Sequence, residues 1–590
     1  MAIKISTIRH SLSHILAYAV QELYPGTKFG IGPAIENGFY YDFELIKPIS
    51  LDDLPRIEKK MKELVKKDIK FRKKIIIQAE SKKLFKDQPY KSELIKDLIK
   101  EKQGDKISIY ESGDFIDLCK GPHIRSAKEI SIDGFKLTKI AGAYWKGSEK
   151  NKMLTRIYGV AFETKQQLDK YLQLQKEIEK RDHRILGKKL DLFHIDEDVG
   201  PGLILWHPKG AILKKIIEDY ILNEYLKNDY KLVCTPHIAK LNLWETSGHT
   251  NFYKESMFPP MHLKEINQEE KNDYQIKPMN CPFHIAIYKQ EIRSYKELPI
   301  KYTELGTVYR YERSGTLHGL VRVRGFTQDD AHIFCAPEHL GEELMSTLKL
   351  TLHILKTFGF KDYAVYLSTR PKKYVGTIKN WDKATKSLKY ALEKLKMPYQ
   401  LDPGEGVFYG PKIDIKIKDF LGRDWQCTTI QVDFNLPDQF EMNYINQKSK
   451  KERPIMIHRA LLGSLERFIG ILIEHYAGAF PFWLAPEQIW IIPIGSAHQK
   501  YAKEVMKKLN ESGSRCELKD KNETVSKKIR EGEIQKIPYL LVVGDKEKKN
   551  RTIRVRQRDK GDLGEMKLDK FLKKCLATNR RDRDEMLQNK

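Results

Sequence analysis

Near the start of the chain, Ile8, Leu12, Ile15, Leu16, Ala19 and Leu23 recur at helical spacing, and Pro25-Gly26 stops the pattern. That predicts an amphipathic helix over 6–24. The stretch "FGIGPAIENGFYYDFEL" then reads as strand, turn, strand, with Asn37-Gly38 expected to supply positive φ. Lysine-rich helical patterns fill 51–104, and apolar, glycine-punctuated segments complete an α+β unit over 1–161. Residues 162–185, "FETKQQLDKYLQLQKEIEKRDHRI", read as a helix without a broad apolar face, the pattern of a helix that bridges domains. We therefore expect a linker over 162–188, a large mixed region over 189–484, and a small α/β domain over 485–590. In the last of these, "IWIIPIG", "RCELKD" and "YLLVVGD" are short strands separated by helical segments.

A chain of 590 residues is too long for one core and suits about three to five domains. Lys plus Arg number 106 against 80 Asp plus Glu, a net charge of +26 that favours a polyanionic partner, above all nucleic acid. Seven cysteines without paired spacing fit a reducing compartment rather than a disulfide framework. Lys4, Arg9, His10 and His14 interrupt the first apolar stretch, so it is not a signal peptide. The longest apolar run near the end, "FIGILIEHYAGAFPFWLAP", is broken by Glu474 and His475, so no membrane span is expected. These features suit a cytoplasmic protein.

Two sets of residues invite metal or acid–base chemistry. "HSLSH" places His10 and His14 one helical turn apart, and "CKGPH" adds Cys119 and His123, together a plausible four-ligand metal site. Ordinary nucleotide signatures are missing: neither G-x-x-x-x-G-K-[ST] nor a strand leading into G-x-G-x-x-G occurs. Any ATP must then be gripped by side chains, chiefly arginines. "YRYERSGTLHGLVRVRGFTQDDAHIF" (309–334) reads as two strands joined by a loop, with Arg310 and Glu312 on one face by period-two spacing. "HRALLGSLERFIGILIEHYAG" (458–478) gives a helical pattern carrying Gly463 and Glu466-Arg467, and "YLKNDYKLVCTPHI" a helix running into a strand that ends at Pro236.

In this order the three segments resemble the signature motifs of class II aminoacyl-tRNA synthetases. Together with "MNCPFH" and "DWQCTTIQVDF" they are similar, over nearly the whole chain, to the threonyl-tRNA synthetase family. The resemblance implies an antiparallel-sheet catalytic core, an N-terminal α+β editing domain and a C-terminal α/β anticodon-binding domain. It implies ATP-dependent activation of L-threonine, transfer to tRNA(Thr), Mg²⁺ with the ATP, and a homodimer, because the segment ending at Pro236 matches the motif that forms a two-fold interface.

Residue by residue, the resemblance implies Zn²⁺ on Cys281, His332 and His458. Arg310 is expected on the α-phosphate, Glu312 on the adenine amino group and Arg467 on the nucleotide and γ-phosphate. His249 in "TSGHTNFY" is expected to assist the transfer step as an exposed histidine. Gln328, Asp330, Tyr409, Gln426, Thr429 and Gln431 should line the threonine and adenylate pocket. His10, His14, Cys119 and His123, with Asp117, Tyr41 and Lys91 matching less distinctively, become water-positioning and RNA-contacting groups of serine editing rather than zinc ligands. Asn522, Glu547, and Arg554 or Arg556 should read anticodon bases.

Two departures stand out. Editing-type sequence begins within the first residues, so the small ubiquitin-like module of most bacterial relatives is expected to be absent. Phe283 replaces the usual glycine beside Cys281, which puts the local backbone in question, and 259–275 reads as an enlarged surface loop. Two rival readings are weaker. A decayed paralogue acting as an RNA-binding regulator has no need of Arg310, Glu312, Arg467, Cys281, His332 and His458 all intact, and an N-terminal protease-type zinc hydrolase lacks H-E-x-x-H.

Overall fold

The computed structural model describes residues 4–100, 106–263, 272–419 and 422–575. The chain divides into two compact units, Met1–Glu177 and Ile178–Lys590.

In the first unit the helix Ile5–Leu23 buries Leu12, Ile15, Leu16, Ala19 and Val20, the face its apolar spacing predicts. It packs on an antiparallel sheet in the order Lys28–Phe29, Gly38–Glu44, Met153–Ala161, Phe135–Tyr144, with Ala34–Ile35 added to Gly38–Glu44. The tight turn is Glu36-Asn37, and neither Asn37 nor Gly38 has positive φ. Gly38 is needed for close approach instead, since a Cβ there would lie 2.0 Å from the Gly159 carbonyl oxygen. The lysine-rich 51–104 segment is not all helix. Leu54–Lys66 and Pro89–Lys100 are helical, but Phe71–Ile77 is a strand paired with Lys106–Ser112. Its exposed lysines and arginine mask its strand character, and 101–104 lie outside the described residues.

The polar segment forms helices Lys165–Arg181 and His183–Lys189, divided at Asp182, whose side chain caps the second. Only Leu168 is buried in the first.

The second unit is built on an eight-stranded sheet in the order Lys231–Leu232, Ile300–Tyr309, Gly325–Cys335, Ile455–Ser464, Asp424–Asp433, Lys412–Lys418, Tyr363–Ser368, Gln400–Asp402. Only the outermost pair at each end is parallel. Contrary to the helical pattern, 458–464 is strand, and the helix starts at Leu465. This strand lies between two others and is buried on both faces, so it shows no alternation and its apolar run cannot be told from a helix by period. Gly463, its next-to-last residue, has φ 73°, where a Cβ would meet the Cys427 carbonyl oxygen at 2.7 Å, and the Ser464 hydroxyl caps the helix by accepting from Arg467 N–H.

Two further expectations are corrected. Residues 259–275 are not simply a loop, because Met261–Leu263 and Asn272–Ile276 pair antiparallel, while 264–271 lie outside the described residues. Phe283 sits in the first turn of an ordinary helix, Cys281–Tyr288, with its ring against Trp244, so the backbone there never required glycine.

A second small sheet follows in the order Cys516–Leu518, Ile489–Pro493, Tyr539–Val543, Thr552–Gln557, Gly561–Lys567. Its first three strands are parallel, with helices Gln499–Glu511 and Val525–Ile534 in the connections, the α/β alternation read from the sequence.

Candidate functional site

Antiparallel pairing of the two central strands explains how distant residues meet. His332 stands directly opposite His458 in the register, and His458 is opposite Gln431 on its other side. Cys281 opens the helix Cys281–Tyr288, and one donor atom from each of Cys281, His332 and His458 lies within 4.8 Å of the others. All three are buried. Burial pushes the Cys281 thiol well above, and the His332 imidazole well below, their ordinary ranges, so both rest neutral. The chemistry of this set fits Zn²⁺: one sulfur, two nitrogens, and room for a fourth ligand on the cleft side. The His458 Nε2 lies 3.0 Å from the Asp433 carboxylate, which is itself held by Asn435 N–H and Leu436 N–H. A carboxylate only accepts, so Nε2 carries the proton and Nδ1 keeps its lone pair.

Period-two spacing puts Gln328, Asp330 and His332 on one strand face. Thr429 and Gln431 share a face of Asp424–Asp433, and a bulge in its pairing with Lys412–Lys418 lets Gln426 join them. These side chains, with Tyr409, line one cleft of ≈290 Å³ that also holds the zinc-type cluster, Arg310 and Arg467. Sequence reading missed several residues that hold this wall in place. Asn280 donates to Asp330 Oδ2 at 3.1 Å, and Asp414 accepts from both Gln426 and Thr429 at 2.8 Å. Asn280 was within reach, since it immediately precedes Cys281 in "MNCPFH"; Asp414 carried no signal.

Arg310 does not lie on a strand face with Glu312. The strand ends at Tyr309, and Glu312 N–H folds back to the Arg310 carbonyl at 2.8 Å, a contact no extended strand makes. Glu312 is not among the residues lining the cleft, and its carboxylate pairs with Arg322 at 2.9 Å. Arg467 projects from the start of Leu465–His475, donating to the Val321 and Gln426 carbonyls. Desolvation lowers its pKa, and Arg310 and Arg322 add to the effect. Arg310 and Arg467 thus bring two guanidinium groups, chemically suited to phosphate, to the cleft that Asp330 also lines.

His249 is not exposed: it is fully buried, with Nδ1 2.7 Å from the Ser247 hydroxyl and Nε2 3.1 Å from Met279 Sδ. Burial pulls its pKa down to about 3, so it is neutral at working pH.

The N-terminal set also comes together. The i,i+4 spacing puts His10 and His14 on one helix face, and the His123 ring lies 4.1 Å from each. Cys119 Sγ is 3.4 Å from His10 Nε2 and 3.3 Å from His123 Nε2. Behind them Tyr41 donates to Asp117 at 2.7 Å, Lys91 donates to Tyr41 at 3.0 Å and pairs with Asp117, and Asp117 lies 3.5 Å from His14 Nε2. Desolvation lowers the pKa of all three histidines and pushes the Cys119 thiol up to about 11. Donor atoms of His10, His14, Cys119 and His123 also lie within 4.8 Å of one another, so proximity alone does not separate this cluster from the first.

In the C-terminal domain, Asn522 is exposed in the connection between Cys516–Leu518 and Val525–Ile534, and Arg554 and Arg556 share one strand face. Arg554 pairs with Asp562 at 2.6 Å, and Arg556 lies 3.6 Å from Glu533. Glu547 is buried, its carboxylate accepting from Gly544 N–H at 3.0 Å.

Residues 263–476 match the model of the tRNA synthetase class II core domain (G, H, P, S and T), and 488–578 that of the anticodon binding domain. An antiparallel core with an arginine-lined cleft, joined to such a domain, defines a class II aminoacyl-tRNA synthetase. Residues 107–158 match the threonyl and alanyl tRNA synthetase second additional domain. The threonine–tRNA ligase of Aquifex aeolicus is 53% identical over 570 residues, 96% of this chain and 88% of that relative. That of Borreliella afzelii is 50% identical, over 96% of each chain. A crystal structure of the RNA binding domain of threonyl-tRNA synthetase from Cryptosporidium parvum superposes with a TM-score of 0.64 at 41% identity, covering 67% of this chain and 98% of that one. The chain belongs to the threonine–tRNA ligase family, and it is an aminoacyl-tRNA ligase with a class II catalytic core. Among the described residues no helix is long and apolar enough to cross a membrane.

Proposed function

We propose that this chain joins L-threonine to tRNA(Thr) in two steps within the ≈290 Å³ cleft, and removes misacylated serine at the N-terminal cluster. In the first step a threonine carboxylate oxygen bonds to the α-phosphorus of ATP while the bond from that phosphorus to the α,β-bridging oxygen breaks, and the β- and γ-phosphates leave as pyrophosphate. Little covalent work falls to the protein; positioning and charge stabilisation carry the rate. Arg310 holds the α-phosphate, Arg467 the nucleotide and γ-phosphate, and Mg²⁺ accompanies the ATP. Glu312 accepts from the adenine amino group once Arg322 yields. In the second step a terminal ribose hydroxyl attacks the adenylate carbonyl and AMP leaves. His249, neutral and buried, is the group we assign to receive the proton of that hydroxyl.

Cys281, His332 and His458 would hold Zn²⁺, which when bound supplies a Lewis-acid seat for the amino and hydroxyl groups of threonine. Asp330 and Gln431 orient the substrate beside it. Valine lacks the hydroxyl and is rejected; serine lacks only a methyl, worth roughly 1–3 kcal/mol or about 10–200-fold. That margin is too small for translation, which motivates a second site. There His10, His14 and His123, all neutral, and the protonated Cys119 thiol position a water against the serine ester, while the buried Lys91–Asp117–Tyr41 group holds His14. Asn522, Arg554 and Arg556 contact the anticodon. The enzyme works as a cytoplasmic homodimer.

The observation that carries this reading is the convergence of Cys281, His332, His458, Arg310 and Arg467 on one cleft from four separate segments. Threonine-dependent ATP–pyrophosphate exchange tests it. Exchange stimulated by threonine, weakly by serine and not by valine is expected; equal stimulation by all three contradicts it.

A further inference from the structure

His284 belongs to none of the roles assigned so far, yet it is fully buried directly behind the zinc-type cluster. It lies one turn after Cys281 in the same helix. Its Nδ1 is 2.8 Å from Nδ1 of His332, with the two rings perpendicular, and its Nε2 is 3.3 Å from Glu304 Oε2. Glu304 is fixed in turn. It accepts from Thr235 N–H at 2.8 Å and from the Thr235 hydroxyl at 2.9 Å, and Lys277, 3.8 Å away, donates to that hydroxyl.

The direction of each hydrogen bond follows from what each atom can do. The Glu304 carboxylate only accepts, so His284 Nε2 is the donor. Neutral His332 has one N–H to give, and with that proton on Nδ1 it donates to His284 Nδ1, the acceptor on a ring whose proton sits on Nε2. His332 is left with Nε2 free of a proton. That is the state a metal-binding imidazole needs, and it mirrors His458, whose Nε2 proton is held by Asp433.

We propose that His284 is a positioning residue: with Glu304 it fixes the tautomer and ring plane of His332, so that Nε2 points its lone pair at the metal. This rests on the proposed zinc site at Cys281, His332 and His458. His284 itself is not a ligand, because both of its nitrogens are committed elsewhere.

The test is competition for zinc between the full-length protein and a chromophoric chelator, with the threonine KM and kcat measured alongside. His284→Leu removes both hydrogen bonds and should weaken zinc binding about 10–100-fold. The threonine KM should rise more than kcat falls, since the amino-acid seat is loosened while the arginines are untouched. His284→Gln, whose amide can donate to Glu304 and whose carbonyl can accept from His332, should restore affinity to within about threefold of the parent. If His284→Leu does not fold, His284→Phe keeps the ring volume and carries the same expectation. Parental zinc affinity in the Leu or Phe variant overturns the inference, as does equal loss in the Gln variant, which would make the residue a matter of volume alone. Cys281→Ala separates this failure from that of the underlying reading. If Cys281→Ala keeps its zinc, the site assignment itself is wrong; if it loses zinc while His284→Leu does not, only the role of His284 falls.

Discussion

The described residues include two clusters of one cysteine with histidines, and they differ in how completely their rings are held. In the core, His332 and His458 each have the nitrogen that faces away from the cluster tied to an anchored partner, His284–Glu304 and Asp433 respectively. The donors come from two paired strands and one helix end, and three of them leave a position open. In the N-terminal cluster His10 Nδ1 lies 3.2 Å from the Pro122 carbonyl and His123 Nδ1 3.1 Å from the Ser11 hydroxyl, but His14 Nδ1 has no hydrogen-bond partner among the described residues. Four donors there would close a tetrahedral shell and exclude substrate. The Lys91 ammonium beside Asp117 also puts a fixed positive charge next to His14 and offsets the carboxylate that would favour a cation. Proximity brings ligands together; the outer contacts decide whether they are prepared for a metal.

If the core cluster is a metal seat that reads a hydroxyl, the largest expected effect is on amino-acid choice. Valine should be activated on the order of 10⁴-fold less efficiently than threonine, measured as kcat/KM in pyrophosphate exchange. Comparable activation of valine would mean that size alone selects. Next, Arg310→Ala should lower kcat for exchange on the order of 10³-fold, as loss of a charge clamp on a transferring phosphate does, with Ser-tRNA hydrolysis unchanged. A variant that loses both activities would contradict their assignment to separate sites.

A smaller effect sharpens the N-terminal side. Combined His10→Ala and His14→Ala should leave threonylation within about twofold of the parent while Ser-tRNA accumulates, since the two sites belong to separate compact units and share no partners. Charging assays with serine decide it, and no extra Ser-tRNA would remove the editing role.

The smallest effect concerns pH. Burial lowers the pKa of His10, and lowers those of His14 and His123 far enough that these two stay neutral at pH 6, where a solvent-exposed histidine is about three-quarters protonated. Ser-tRNA hydrolysis, corrected for the spontaneous reaction, should therefore change by less than about twofold between pH 7.5 and 6. The native state binds fewer protons here than the unfolded chain. Stability contributed by these histidines is thus complete above the unfolded pKa of about 6.5 and declines as the pH falls below it. A thermal midpoint of the N-terminal unit that rises on acidification from pH 7 to 5.5 would contradict the burial argument.

How much of this was legible in the sequence depended on whether a signal was local. The Ile5–Leu23 helix and the parallel strands of the last domain follow from period and punctuation. The strand Ile455–Ser464 was hidden because burial on both faces erases alternation, and Phe71–Ile77 because its exposed charges read as a solvated helix. His10 with His14, and Cys119 with His123, announce themselves by short spacing. His332 and His458 are joined by sheet register and Cys281 meets them from the start of a helix, so spacing could not find the three and the family resemblance did. Asp433, Glu304 and Asp414 had no signal at all, because an outer-layer carboxylate is defined by what it faces.

Metal content tests the contrast between the two clusters most directly. The purified protein, its Cys281→Ala variant and its combined His10→Ala, His14→Ala variant would be analysed for zinc per chain after dialysis. The account predicts about one zinc in the parent, about one in the N-terminal double variant and almost none in Cys281→Ala, with threonine activation lost only in the last. Zinc lost from the N-terminal variant and kept in Cys281→Ala, or two zincs in the parent, would contradict it.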